Sequence, residues 1–335
     1  MSDPTTAPTI VYESYWRFAA ERHAMYERRL AGVEMPVTQD PILRAHRFTN
    51  AFRAADRVSQ YLITEVQYRE DRAQAPAEVL FRTLLFKIFN RIETWELLER
   101  RLGPLYWQSV DLDAISAVLS EQMITGERVY SAAYIMPSPN MGHVRKHDNH
   151  LALIKQMLSD GLARRLERAR TLAEVYGLIK LYKGLGPFLA FQYAIDLNYS
   201  SLLDFDEDDF VVAGPGALDG IAKCFGREAA RRPEDVIYSM VDRQTQAFNA
   251  LGLSFGGLFG RPLKPIDCQN LFCEISKYSR LAHPDVLGLS GRTRIKQAYA
   301  MSPKALPKQM FPPKWRLTTP SPFTESSTKG QLRLF

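Results

Sequence analysis

The sequence predicts a mainly α-helical fold, and three observations carry that prediction. Apolar side chains recur every three or four residues through most of the chain, the spacing of one helix face. Almost nothing alternates with period two, so half-buried strands are not expected. Pro, Gly and capping residues punctuate the periodic runs where helices begin and end. With 335 residues and 46% hydrophobic content, the chain can bury a large core.

The elements follow in order. Residues 1–10 read as a disordered lead-in. Over 14–30, Y-W-R-F-A-A-E-R-H-A-M-Y-E-R-R-L has helical periodicity. A second helix is expected over 41–67, with Phe48, Phe52, Ala55, Val58 and Leu62 on one face. Residues 77–102 predict one long helix stopped by Gly103-Pro104, and 112–124 another. R-V-Y-S-A-A-Y-I-M, 128–136, suits a strand or a helix, and P-S-P-N-M-G-H after it is a loop. Residues 150–181 hold two helices, the second opened by Thr171 with Glu174 three residues on, a capping box. The turn K-G-L-G-P then leads into a helix over 187–197. A-G-P-G-A-L-D-G, 213–220, is a loop entering a helix, and the last helices span 233–251 and 267–280.

Charge and cysteine usage narrow the function classes. The net charge of +6 suits a polyanion partner without proving one. Cys224, Cys268 and Cys273 form no Cys-x-x-Cys pair, which argues against a disulfide framework or zinc site. Three cysteines cannot hold a four-cysteine iron–sulfur cluster. No metal and no cofactor is expected. The N-terminus lacks the basic and apolar regions of a signal peptide, and no run approaches 18 apolar residues. A cytoplasmic protein with no membrane partner is expected, its oligomeric state open.

The turn at 183–187 raises the first functional question. Two helices joined by G-x-G aim backbone amides outward at the start of the second, where the helix dipole favours an anion. Gly184 and Gly186 let a phosphate approach the backbone, Leu185 lies between them, and Lys180 and Lys183 add charge. This is the logic of a phosphate clamp on DNA, and the plain alternative is a turn between packed helices. Asn50, Arg53 and Arg57 would share one face of the expected 41–67 helix, with Asp56 beside them. That face suits a phosphate or a polar base substituent, or else a surface salt-bridge row. In K-H-D-N-H, 146–150, His147 could line a pocket or simply decorate a helix. Between Val286 and Leu317 there are seven basic residues and no acidic one, with Arg292, Arg294 and Lys296 beside Ser290-Gly291. These suit phosphate contacts or a solvated tail.

L-x-x-L-x-K-G-L-G-P-x-x-A, with L-D-G-x-x-K downstream, resembles the helix-hairpin-helix superfamily of DNA glycosylases over about residues 171–232. The resemblance implies a two-lobed helical fold, with the hairpin at 171–197 and a catalytic-loop region at 204–225. It places the catalytic aspartate at Asp219, at a helix start, and Lys223 near the DNA. Two departures are visible. Lys183 replaces the family's hairpin proline, and 33 residues separate Gly186 from Asp219, a longer gap than the family's. The acidic stretch D-F-D-E-D-D-F fills it and offers Asp208 and Asp209 instead. The nucleophilic lysine of the lyase members has no counterpart at Phe188, which implies monofunctional chemistry.

A broader resemblance covers about residues 12–316. Y-W-R-F-A-A-E-R-H, D-P-I-L-R-A-H-R-F-T-N-A-F-R-A-A-D-R-V-S-Q-Y-L, K-H-D-N-H-L-A-L-I and F-P-P-K-W are similar to the α-glutamyl/putrescinyl-thymine pyrophosphorylases and to the helical domain of 5-hydroxymethyl-deoxyuridine DNA kinases. Trp16, Asn50, Arg53, Asp56, Arg57, Gln60 and His147 would then line a base or phosphate pocket. Members act on modified thymines of phage DNA, and antiviral glycosylases are grouped with them. The P-loop G-x-x-x-x-G-K-[ST] is absent here, so this chain is not itself expected to be the kinase. The leading expectation is a glycosylase that flips and excises a modified base from double-stranded DNA. A transferase displacing pyrophosphate from an activated hydroxymethyl-pyrimidine and a non-catalytic DNA-binding module are the alternatives. The domain division expected is 1–10, 11–285 and a basic segment 286–335.

Overall fold

The computed structural model describes residues 7–34, 36–132, 136–299 and 309–318. Among them are thirteen α-helices and no strand, only two isolated antiparallel bridges. The helices are α1 (Ile10–Leu30), α2 (Pro41–Ala45), α3 (Arg57–Tyr61), α4 (Pro76–Phe89), α5 (Ile92–Leu102), α6 (Leu112–Ile124), α7 (Lys146–Ser159), α8 (Leu162–Glu167), α9 (Leu172–Lys180), α10 (Pro187–Tyr199), α11 (Pro215–Phe225), α12 (Pro233–Ala250) and α13 (Pro265–Ala282).

Several boundaries differ from the periodicity reading, each for a local reason. The lead-in ends early: Thr9 caps α1 through its hydroxyl, and its amide donates to Cys224 O at 2.8 Å. The expected 41–67 helix is broken. Asp56 Oδ1 accepts the Asn50 amide at 2.7 Å and closes a loop over 50–56, so only α2, a 3-10 turn, α3 and a π-helical run over 62–67 are helical. The expected 77–102 helix is two, because Asn90 terminates α4 in the left-handed conformation (φ 47°). Residues 128–132 and Met136 are irregular, and 133–135 lie outside the described residues. The region 146–181 holds three helices instead of two. At α9 the Thr171 hydroxyl accepts the Glu174 amide, while the Glu174 carboxylate takes the Arg170 amide.

Helices α1, α11, α12 and α13 pack together, with α11 against α13 the most extensive pairing. Helix α4 is buried nearly end to end and meets α7, α8 and α10, and α10 folds back along α9. The described end of the chain is part of this body. Phe311 is buried and stacks on Trp315, and the Arg261 guanidinium lies 3.9 Å from the Trp315 ring centroid. Lys314 Nζ donates to the carbonyl of Asn198 in the last turn of α10 and to those of Ser200 and Leu203 just beyond it. Lys304 and Lys308 of the basic run lie outside the described residues.

The α11–α13 contact is a backbone approach. A Cβ on Gly220 would stand 2.0 Å from Phe272 O, and one on Gly216 3.0 Å from Cys273 Sγ. Backbone cannot swing aside as a side-chain tip can. Gly220→Ala should therefore lower stability by about 3 kcal/mol, read as a shift of the urea midpoint at constant slope.

Candidate nucleic-acid interface

L-D-G-x-x-K does not open a helix. Helix α11 starts at Pro215, capped by Gly214, and Asp219 sits in its second turn, 1% exposed. Its Oδ2 accepts from Ser276 Oγ at 2.5 Å and its Oδ1 from the Ser290 amide at 2.6 Å. Burial would push the carboxyl up, but the Ser276 hydroxyl and Ser290 donors hold it below the usual carboxylate range. Lys223 is also buried, donating to Ser276 O at 3.2 Å and Ser279 Oγ at 3.1 Å, so it is no DNA contact. The motif is the seam between α11 and α13: Asp and Lys satisfy polar groups of α13 and of the 290 loop, and Gly admits the backbone. Gly288 shares the seam, since a Cβ there would meet Asp219 Oδ1 at 2.3 Å.

The acidic stretch is similarly occupied. Asp208 pairs with Lys264 Nζ, Glu207 is buried against Arg261 at 2.7 Å, and Asp209 is exposed. Burial pushes Glu207 up to about 7 despite Arg261.

The expected pocket face at 50–60 is dispersed. Arg53 is buried and Arg57 exposed, so they share no face. Arg53 Nη1 lies 2.6 Å from Asp196 Oδ1, its Nε donates to Gln192 Oε1 at 3.1 Å, and its amide donates to Asp267 Oδ1 at 2.8 Å. Asn50 Oδ1 accepts from Arg22 Nη2 at 2.7 Å. Burial pushes Asp56 up to about 7 against the Asn50 amide and Arg22. Gln60 exchanges hydrogen bonds with the backbone of Met310 at 3.0 and 2.9 Å. Trp16 is fully buried beside Phe248, ring centroids 5.0 Å apart. His147 is buried and paired with Ser120 Oγ at 2.9 Å. Trp16, Arg53, Gln60 and His147 are buried, Asn50 and Asp56 are half-buried in hydrogen bonds to each other's segment and to α1, and Arg57 is exposed, so the seven do not form one open face.

The hairpin is where exposed functional groups gather. Helix α9 ends in a turn at Tyr182–Gly186 and α10 restarts at Pro187, with no side chain capping it. Lys180, Lys183, Gly184 and Gly186 are exposed, while Leu185 is buried and anchors the turn. Gly184 adopts φ +80°, and a Cβ there would press on Pro139 at 3.2 Å. Glycine is therefore required where the hairpin meets the 137–143 loop.

Between that loop, the hairpin and the ends of α7 and α8 lies a cleft of about 810 Å³, lined by Asn140, Gln156, Asp160, Arg165, Tyr182 and Lys183 among others. Periodicity could not find it, because its walls come from four separate segments. The signal that could have pointed to it is K-H-D-N-H directly after P-S-P-N-M-G. Asn149 Oδ1 accepts the amides of Met141 (2.8 Å) and His143 (3.2 Å), and its Nδ2 donates to His143 O at 2.7 Å. His150 Nε2 donates to Pro137 O at 2.9 Å, which leaves Nδ1 to accept from Tyr130 OH at 2.7 Å. The buried face of α7 thus pins one wall of the cleft.

The basic segment lies along the surface. An antiparallel bridge joins His46 to Ala298, with Arg47 N to Gln297 O and Tyr299 N to Ala45 O both 3.0 Å. Arg292, Arg294 and Lys296 are exposed, and the bridge runs the end of this segment beside Arg44 and Arg47, also exposed, two residues that the spacing argument missed. Among the described residues no helix is long and apolar enough to cross a membrane.

Two consequences follow for the solution behaviour. Asp219→Ala should cost about 2 kcal/mol, because it strands the Ser290 amide, and should speed protease cleavage within 284–296. Burial pushes His150 down to about 4, so the folded state keeps it neutral while the unfolded imidazole takes a proton near 6.5. The unfolded state then binds more protons between those values, and stability present above pH 6.5 is lost as pH falls through the window. The drop in melting temperature between pH 7 and 5 should be smaller in His150→Gln; His23 and His147, which burial also lowers, add to that slope, and Asp56 and Glu207, which burial raises, oppose it.

The comparisons with known proteins bear on the glycosylase expectation as a whole. The family described as "5-hmdU DNA kinase, helical domain" matches residues 9–288. The chain is 26% identical over 298 residues to the 5-hmdU DNA kinase of Bacillus phage SP10. The match covers 82% of this chain and 46% of the phage protein, so the chain spans about half the length of that relative. No solved structure matches. These findings overturn the glycosylase and pyrophosphate-displacing expectations and lend no support to the non-catalytic alternative. The chain belongs to the family of 5-hmdU DNA kinase helical domains.

Proposed function

We propose that this chain takes part in transferring phosphate to 5-hydroxymethyl-deoxyuridine in DNA, and that its helical body is the part that grips the DNA. The observation that carries the reading is the family match over nearly the whole helical body. In such a transfer the hydroxymethyl oxygen bonds to the phosphorus of a nucleoside triphosphate's terminal phosphate, the bond to the diphosphate breaks, and the hydroxyl proton passes to a base. Catalysis of this kind rests on positioning and on charge compensation, so a rigid DNA grip is a substantial part of the work.

In this reading α9, the turn and α10 act as a helix-hairpin-helix phosphate clamp. Gly184 and Gly186 allow a phosphate close to the backbone, the uncapped start of α10 supplies dipole and amides, and Lys180 and Lys183 supply charge. Arg292, Arg294 and Lys296, with Arg44 and Arg47, extend the basic surface.

Purified chain and duplexes carrying 5-hydroxymethyl-uracil or thymine give the test. Preferential binding of the modified duplex is the expected result. Equal binding of both duplexes would overturn the reading. Lys183→Ala should weaken binding of both duplexes severalfold and reduce the salt slope of log K by about 1, the signature of one lost phosphate contact.

A further inference from the structure

We infer that the cleft beside the hairpin seats an unpaired 5-hydroxymethyl-uracil nucleotide of the DNA, with Asp160 receiving the hydroxymethyl group and Asn140 and Gln156 the polar edge of the ring. The inference rests on the function proposed above and names the place where that function reads its substrate.

Size comes first. At about 810 Å³ the cleft falls within the roughly 300–1,000 Å³ of sites that hold small organic ligands. It is large enough for a nucleotide. Its walls are fixed before any ligand arrives: Asn149 and His150 pin the 137–143 loop, Leu185 anchors the hairpin, and Gly184 packs on Pro139. A preformed site avoids the ordering cost of binding.

The lining chemistry then matches one base better than its relatives. Asn140 and Gln156 each carry an amide donor and acceptor, and both are exposed to the cleft. A uracil ring offers carbonyl acceptors and one N–H donor, which two amides can satisfy together. Asp160 only accepts. A hydroxymethyl group donates to it, whereas the methyl of thymine has nothing to donate and would leave the carboxylate facing an apolar group. Tyr182 OH accepts from Arg165 Nη2 at 2.5 Å, and Asp160 lines the same cleft. The Arg165 guanidinium lies 5.9 Å from the Tyr182 ring centroid, and its Nε is buried with no hydrogen-bond partner. Lys183 stands at the rim and belongs to the clamp as well, so a nucleotide in the cleft is continuous with a backbone on the hairpin. A stacked, paired base cannot enter such a cleft, so the occupant is unpaired.

The experiment uses the full chain and single-stranded 12-residue oligonucleotides with one central 5-hydroxymethyl-uracil or thymine, read by fluorescence anisotropy. The unaltered chain should prefer the hydroxymethyl oligonucleotide about tenfold, the equivalent of one good polar contact. Asp160→Ala should bring that ratio towards one without weakening the thymine complex, whereas Gln156→Ala, which removes a contact to the ring edge that both bases share, should weaken both complexes and leave the ratio intact. Both side chains are exposed, and an unchanged melting temperature would confirm folding. Lys183→Ala should weaken both complexes and leave the ratio intact. A ratio that survives in Asp160→Ala, or binding of both oligonucleotides left unchanged in Gln156→Ala, overturns the cleft assignment and leaves the proposed function standing. Competition by free 5-hydroxymethyl-deoxyuridine monophosphate as strong as by the oligonucleotide would overturn the seating of a DNA strand. If the unaltered chain shows no preference in single strands or in duplexes, the function itself falls.

Discussion

Asp196 on α10 sits between two buried cations. Arg53 Nη1 and Lys87 Nζ each lie 2.6 Å from one of its oxygens. Burial drives Lys87 down to about 8 and would raise Asp196, yet the paired cations hold the carboxylate below its usual range. A charge buried this deeply is tolerable only when paired and hydrogen-bonded, so the three segments that supply the charges must arrive together. They are the 50–56 loop, α4 and α10. Arg53 also binds Asp267 at the start of α13 through its amide, and Gln67 donates to Asp196 O at 2.8 Å. One cluster thus ties the α11–α13 side of the molecule to α4 and to the hairpin, and α10 carries that constraint to the turn.

The same logic explains why residues that looked catalytic are structural. In a mainly helical chain the closest contacts are between helices, and polar side chains at those contacts must find partners inside. Asp219 and Lys223 do this from the side of α11 that meets α13, and Gly220 between them lets the α13 backbone approach. A short acidic, glycine-containing, basic motif fits a catalytic loop or a helix seam equally well in sequence. The distinction lies in what stands opposite, and opposite Asp219 stand Ser276 and Ser290.

The cleft shows the converse. Its polar groups belong to residues with no distinguishing spacing: an asparagine in a loop, a glutamine and an aspartate at the end of α7, an arginine on α8. They are functional candidates because two rigid supports converge there. The buried Asn149 and His150 hold one wall, and the glycine hairpin forms the other. Of the two supports only the hairpin is legible in the sequence, since two glycines one residue apart between capped apolar runs mark a tight turn from helix to helix.

What the sequence by itself determined is the helical class, most helix positions after residue 76, the hairpin and the kinship over residues 9–288. Those follow from local periodicity, from capping chemistry and from motif identity, which need no knowledge of distant partners. Tertiary structure alone decided that Asn50, Arg53 and Arg57 share no face, because the Asn50–Asp56 hydrogen bond breaks the helix that periodicity implied. It alone decided that Lys314 closes the end of α10 instead of waiting for a phosphate, and that Asp219 is a seam residue. A side chain's role depends on whether water or protein faces it, and that is set by segments far away in the chain.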